Sequence, residues 1–343
     1  MILLLARGIN LFQILAGYLL SRTTKKAIHW GNPVAVSIEP NNSCNLHCPE
    51  CPAGQKLLTR PQGSMNPDLF KSIICELLPH LSYLTLYFQG EPYLCQHLFE
   101  FIAFARSKKI FVSTSTNGHF LNENTVRQTV ASKLNRLIIS LDGANQQSYE
   151  AYRQGGDFKR VVEGIRLLAG EKKRLKSQSP EVILQCLLLK SNESQLDDIT
   201  ALAKTLGVDK LEFKTAQFND FENGNPLMPE TDKYSRYKRV KDFKMENANS
   251  KMQNADGKVQ NIKYKIKNVL PDSCFRMWSS CVITWDGKVV PCCFDKDATY
   301  VLGDLKKQRF TDIWRGEPAK KFRNEILQHR KSIDICSNCS QTF

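Results

Sequence analysis

From Val34 onward the chain alternates between two hydrophobic patterns. Short β-branched and apolar runs come first: AVSIEP (35–40), YLTLYF (83–88), IFVSTS (110–115), RLIISL (136–141), VILQCLLL (182–189) and KLEFKT (210–215). These predict strands. Between them lie NPDLFKSIICELLPHL, CQHLFEFIAFARSKK, NENTVRQTVASKL, DFKRVVEGIRLLAGEKKRLK and ESQLDDITALAKTLG. Their apolar positions recur every three or four residues and predict helices. Asn66 before Pro67 is a helix-start signal, a capping side chain followed by a residue suited to the first turn. Six strands separated by helices over about 180 residues predict parallel strands with right-handed crossovers. The α/β class follows, and a partial (β/α)6 barrel suits the count better than the full eight units. In such barrels the chemistry sits in loops at the carboxyl ends of the strands.

The flanks read differently. MILLLARGINLFQILAGYLL is apolar except for Arg7, Asn10, Gln13, Gly17 and Ser21, which mark one narrow polar stripe on a helix. Charge follows this run, as Arg22, Lys25 and Lys26, whereas a secretory signal would place it before. The expectation is a helix over residues 1–26 that lies on a membrane surface or docks on a partner or on its own body. After Thr215 the alternation stops, and a basic, Asn-rich stretch around MENANSKMQNADGK reads as mobile or as a surface hairpin. Near Asp272 a compact unit begins. CVITWDGKVVPCC predicts two short strands joined at Asp286-Gly287, and TDIWRGEPAKKFRNEILQHR predicts one helix. The expected divisions are 1–33 (helix and arm), 34–216 (barrel), 217–271 (basic linker) and 272–343 (terminal domain).

The 12 cysteines change the picture. Nine fall in two groups, Cys44/Cys48/Cys51 and Cys274/Cys281/Cys292/Cys293/Cys336/Cys339. Cys75, Cys95 and Cys186 lie in apolar stretches and read as buried structural thiols. In a chain of this size tight clusters point to metal and not to a disulfide framework. CxxxCxxC in CNLHCPEC offers three ligands, one short of a closed site, and open positions are where substrates or cofactors bind. Zinc completed by His47 is the alternative reading. The net charge of +14 allows an anionic partner or a solvated face.

CNLHCPEC, followed in order by QGEP, TSTNG and ISLDG, resembles the radical S-adenosylmethionine (SAM) superfamily over roughly Val34 to Lys214. The resemblance implies a 4Fe–4S cluster on Cys44, Cys48 and Cys51, with SAM chelating the remaining iron. It implies that Gln89, Gly90, Glu91 and Pro92 receive the SAM amino group, with Glu91 as an acceptor. Ser140 and Asp142 would reach the SAM ribose or its neighbourhood, with Asn117 and Arg153 as further contacts, Arg153 toward the carboxylate. It assigns His47 to packing beside the cluster. A reducing donor such as flavodoxin or ferredoxin is the implied electron source, in a reducing cytoplasm, with the N-terminal helix allowing peripheral contact at the inner membrane face.

The second group resembles the SPASM/twitch extension of the same superfamily. That resemblance implies an auxiliary 4Fe–4S cluster on Cys274, Cys292, Cys336 and Cys339. One auxiliary cluster is expected, because the sequence runs only four residues past Cys339. A four-cysteine zinc site is the alternative. Cys281 is expected to be buried, and Cys293 to point away from Cys292. Cys293, as a hydrogen-atom donor, and Asp295, as a base, are the catalytic candidates. The implied activity is SAM cleavage followed by hydrogen abstraction from a peptide or small molecule. The alternative is a non-catalytic iron–sulfur carrier or a basic nucleic-acid binder, for which Tyr234, Tyr237, Phe243 and Tyr264 would be the stacking groups; nucleic acid is the less expected partner.

Overall fold

The structure, a computed structural model, describes residues 2–240, 263–268 and 270–339. The Asn-rich segment expected to be mobile or hairpin-like, and Phe243, lie outside the described residues. Six parallel strands form the frame: β1 (Ala35–Ile38), β2 (Tyr83–Thr85), β3 (Phe111–Thr116), β4 (Arg136–Ser140), β5 (Glu181–Leu188) and β6 (Lys210–Thr215). Each pairs with the next, in register Val36↔Leu84, Leu84↔Val112, Thr114↔Leu137, Ile139↔Leu184 and Cys186↔Phe213. The expected partial barrel is what the chain builds.

With α1 as the N-terminal helix (Ile2–Thr24), the barrel helices are α2 (Pro67–Leu77), α3 (Leu98–Ser107), α4 (Glu123–Ala131), α5 (Gln146–Glu150), α6 (Phe158–Arg174) and α7 (Leu196–Leu206). Each starts or stops for a local reason. Asn66 accepts from the backbone N–H groups of Asp68 and Leu69, satisfying donors at the start of α2 that have no partner within the helix. Asn122 and Thr125 close a reciprocal cap on α4, and Gly207 ends α7 at φ +66°. Helix α2 buries Phe70, Ile73, Ile74 and Leu77, with Phe70 stacked on Phe101 at 4.3 Å. That phase turns Cys75 outward. It is exposed, against the expectation of a buried thiol, while Cys95 and Cys186 are buried as expected.

The chain then forms a small antiparallel pair, β7 (Tyr237–Val240) with β8 (Lys263–Ile266). Tyr237 is fully buried and its hydroxyl donates to Asn338, so it is a packing residue and not an exposed stacking surface. After α8 (Arg276–Ser279), strands β9 (Ser280–Ile283) and β10 (Lys288–Val290) make the expected hairpin, with Gly287 at φ +90°. The hairpin does not stand apart. β9 pairs in parallel with β1, Ala35 opposite Ser280, and with β11 (Gly303–Asp304) the whole forms one nine-stranded sheet in the order β11-β10-β9-β1-β2-β3-β4-β5-β6. The one long helix expected after Thr311 is two, α9 (Phe310–Arg315) and α10 (Glu317–His329). Gly316 adopts an extended conformation between them, and Pro318, which cannot donate, occupies the first turn of α10. A short α11 (Asp334–Ser337) carries Cys336.

The polar stripe of α1 faces the body. Asn10 and Asn32 exchange side-chain-to-backbone bonds, and Ser21 bonds the carbonyl and amide of Ile28. The Arg7 guanidinium donates to the carbonyls of Pro79, Leu81 and Lys109, just before β2 and β3. The helix therefore docks on its own body, across the amino-terminal ends of the strands.

Candidate active site

The loop after β1 carries Cys44, Cys48 and Cys51, all free thiols. Its two ends are pinned by Glu39 and Arg60, a fully enclosed pair with bonds of 2.6 and 2.5 Å. Glu39 also accepts from the Trp285 amide, and Thr59 bonds Asp297, so the same clamp holds the loop to the terminal hairpin. Sequence reading passed over this pair, because nothing in either residue's neighbourhood marks it as buried. Arg60→Ala leaves Glu39 an unmatched buried charge and is expected to cost about 3–5 kcal/mol. A fall in unfolding midpoint, with partial recovery in Arg60→Lys, checks it.

Three groups of the second and third strand loops close on the cysteines. Gly90 sits at φ +76° against the backbone of Asn41 to Ser43. The Glu91 amide donates to the Ser43 carbonyl at 2.8 Å, and Asn41 donates to the Glu91 carbonyl at 2.8 Å. The Glu91 carboxylate is turned inward. It accepts from the Thr116 hydroxyl and the amides of Asn117 and Tyr93. Burial, outweighing those donors, pushes it up to about 6. Among the described residues no cationic side chain forms an ion pair with it, and a ligand ammonium would offset the cost of its burial. Asn117 is oriented by His119, whose Nδ1 and amide both face its carbonyl oxygen. That leaves the Asn117 amide nitrogen for Asn45, at 2.8 Å, and for the Cys44 sulfur, at 4.0 Å.

The fourth strand loop supplies a different arrangement from the one expected. Asp142 is fully buried. Its carboxylate accepts from Arg153 Nε at 2.5 Å and from the Leu187 amide at 2.6 Å. Both oxygens are therefore engaged, and Asp142 does not line the cleft. Its place is behind Arg153, whose Nη1 stands 3.9 Å from the Cys48 sulfur. Arg153 reaches the cleft with that ion pair already made. Ser140 lines the cleft.

Between the cysteine loop and these residues is a cleft of about 270 Å³, lined by Cys44, Cys48, Cys51, Gln89 to Pro92, Asn117, Ser140 and Arg153. Tyr87, Tyr152, Leu187 and Lys296 also line it, and none of these was identified from sequence. Lys296 is the neighbour of the expected base, Asp295. Asp295 itself is 1% exposed, and its two oxygens accept from the amides of Thr299 and Tyr300. It closes its own loop and presents no free carboxylate to a substrate. Cys293 is exposed, with Arg276 Nη1 3.8 Å from its sulfur, and lies outside the cleft lining.

The residues fit an iron–sulfur cluster with SAM. Burial pushes the Cys44 thiol up to about 11 and raises Cys48, so a metal that displaces the protons is what would make them thiolates. The Leu46 amide, Asn117 and Arg153 are donors aimed at these sulfurs. Among the described residues no three His, Cys, Asp or Glu side chains converge as a site for a single ion. A cubane spreads its irons over separate corners and is served by thiolates further apart. His47 is exposed and its Nδ1 engages the Gly54 carbonyl, consistent with packing and not ligation.

In the terminal unit Cys274, Cys292, Cys336 and Cys339 are partly buried free thiols, and burial raises the first three. Arg330, 3% exposed, donates to the Cys339 sulfur at 3.6 Å and to the Ser273 carbonyl. It supplies a buried positive charge at the Cys339 sulfur. Its signal in the sequence was only its position, six residues before Cys336. Asn338, inside the CxxC turn, donates to the Phe218 carbonyl at 2.6 Å, tying this group to the loop after β6.

Comparison with known proteins agrees with this geometry. The sequence model of the radical SAM superfamily matches residues 38–203, and that of the SPASM iron–sulfur cluster-binding domain matches residues 274–340. The AdoMet-dependent heme synthase of Methanosarcina barkeri is 24% identical over 328 residues, covering 90% of this chain and 91% of that protein. Among solved structures, BtrN in complex with AdoMet and 2-DOIA aligns over 90% of this chain and 93% of that one, at 20% identity and a TM-score of 0.53. Streptococcus suis SuiB bound to the precursor peptide SuiA aligns over 94% and 72%, at 12% identity and a TM-score of 0.63. With the two domain matches in chain order, and the three thiols of the first loop facing a SAM-sized set of polar groups, the chain belongs to the radical SAM superfamily, as an enzyme with a SPASM domain and with iron–sulfur clusters and SAM as its cofactors.

Proposed function

We propose that this enzyme binds SAM over Cys44, Cys48 and Cys51 and removes a hydrogen atom from a substrate held between the barrel loops and Lys296. The observation that carries the reading is the convergence of the three thiols with Gln89–Pro92, Asn117, Ser140 and Arg153 on one cleft. When bound, the 4Fe–4S cluster supplies the electron that cleaves SAM to methionine and a 5′-deoxyadenosyl radical, the hydrogen-abstracting species.

The chain's own groups do the positioning. The peptide groups of Gln89 to Glu91, pressed against the cysteine loop, offer carbonyls to the SAM ammonium, and the buried Glu91 charge adds attraction from behind. Arg153, fixed by Asp142, places a guanidinium beside Cys48 for the SAM carboxylate. Tyr87 and Tyr152 keep part of the cleft wall dry. Cys274, Cys292, Cys336 and Cys339 hold the auxiliary cluster, with Arg330 balancing its charge, for electron acceptance or substrate orientation.

Two related folds support a broad substrate reading: BtrN is solved with 2-DOIA and SuiB with a precursor peptide. A small molecule or a peptide is the substrate class this favours, with oxidation or peptide modification as the outcome. The reductant is a low-potential carrier such as flavodoxin or ferredoxin, in a reducing compartment. Anaerobic reconstitution with iron and sulfide, then dithionite and SAM, is expected to yield 5′-deoxyadenosine and about eight irons per chain. A fully loaded protein that releases no 5′-deoxyadenosine would instead be an electron carrier.

A further inference from the structure

The helix α1 packs with the wrong face out for an ordinary terminal helix. Its polar stripe is the buried side: Asn10, Gly17 and Ser21 are buried, with Ile14 among them. Its apolar side is presented to the surroundings. Leu4 is 74% exposed, Phe12 72% and Leu19 57%, and Leu5, Ile9, Leu11, Leu15 and Leu20 are exposed around them. Trp30 lies beside this helix, 48% exposed. Scattered exposed apolar residues are ordinary, but a face this continuous marks a contact surface.

Charge identifies what covers it. The sequence has no acidic residue before Glu39. Arg22, Lys25 and Lys26 stand exposed at the carboxyl end of the helix, and Arg7, whose guanidinium grips backbone carbonyls, lies near the other end. An apolar face that ends in the exposed cations Arg22, Lys25 and Lys26 complements anionic headgroups over acyl chains. Pairing two copies with their helices parallel would bring the Arg22, Lys25 and Lys26 clusters together.

The helix is also long and apolar enough to cross a membrane. A spanning position would break the bonds of Arg7, Asn10 and Ser21 to the body and carry Arg7 into lipid. The intact stripe favours a helix lying flat. Because Arg7 binds carbonyls immediately before β2 and β3, the helix covers the amino-terminal ends of the strands. The cleft is formed by loops after their carboxyl ends, at the other end of the barrel.

We propose that α1 seats the barrel on an anionic membrane surface, with the active-site cleft facing away from the bilayer toward the aqueous phase. The arrangement recruits the enzyme to the surface while its substrate arrives from water. A lipid-linked substrate, which the apolar N-terminus by itself would suggest, is disfavoured by this orientation.

The test uses the full chain and vesicles of phosphatidylcholine, with and without phosphatidylglycerol. The expected result is co-sedimentation with the anionic vesicles, weakened severalfold by Arg22→Ala/Lys25→Ala/Lys26→Ala or by salt. Leu5→Asp/Phe12→Asp/Leu19→Asp should lower binding by about tenfold or more, with circular dichroism unchanged because all three side chains are exposed. Hydrogen exchange on vesicles should slow at residues 4–20 and stay unchanged at residues 89–92. Absence of vesicle binding, equal binding by the triple Asp variant, or a helix that resists alkaline extraction would each overturn the proposal. So would a wild-type dimer that the Asp variant splits, which would make a second copy the occupant.

Discussion

Changing Cys48 to alanine is expected to abolish 5′-deoxyadenosine formation and to remove about four of roughly eight irons. Cys48 is the most enclosed of the three loop thiols and the one that Arg153 approaches. Its loss leaves two protein ligands, and burial already pushes one of them, Cys44, toward the protonated thiol. The reciprocal variant, Cys292→Ala, should lose the other irons and keep SAM binding. Iron analysis together with 5′-deoxyadenosine yield separates the two. A Cys48→Ala protein with full iron and normal yield would show that the first loop is not the cluster site.

Gly90→Ala should be nearly as damaging without touching a ligand. At φ +76° an added Cβ would lie 2.7 Å from the Ser43 carbonyl oxygen, 2.8 Å from the Asn42 carbonyl carbon and 2.9 Å from the Asn41 oxygen. These are backbone atoms, so no side chain can swing aside. The left-handed conformation alone costs an alanine about 1–2 kcal/mol. The overlap must then be relieved by parting the Gln89–Pro92 segment from the cysteine loop, which breaks the Glu91 amide bond to Ser43. The expected outcome is SAM binding weaker by about tenfold or more, on the scale of 1–3 kcal/mol of local strain. Equilibrium binding of SAM to the reconstituted protein measures it. Unchanged affinity would mean that the two loops need not touch for SAM to bind.

Local pattern made most of the barrel legible. Strand and helix periods, the Asn66 cap and the Asp286-Gly287 turn are all short-range features, and the chain uses them as read. The break at Gly316 was missed because the surrounding helical period runs through it. Cys75 was misplaced because an apolar stretch does not reveal helix phase. Helix α1 shows the same limit at larger scale. Its polar stripe is plain in the sequence, but which side of a stripe meets the body depends on what the body offers, and here it offers carbonyls to Arg7 and Asn10.

The site divides in the same way. The sequence by itself determined that three thiols lie in one loop, that QGEP, TSTNG and ISLDG follow later strands, and that four more cysteines lie near the C-terminus. Spacing along a chain carries that much, since a stretch of eight residues cannot scatter its thiols far. Only the tertiary structure decided how charges are matched. It turned Asp142 away from the cleft to hold Arg153, enclosed Asp295 and placed Lys296 in the lining instead. It paired Glu39 with Arg60, and set Arg330 against the terminal thiols. Each of these depends on which buried charge finds a partner across the fold, a condition set by desolvation and contact between distant segments, and therefore absent from any local pattern.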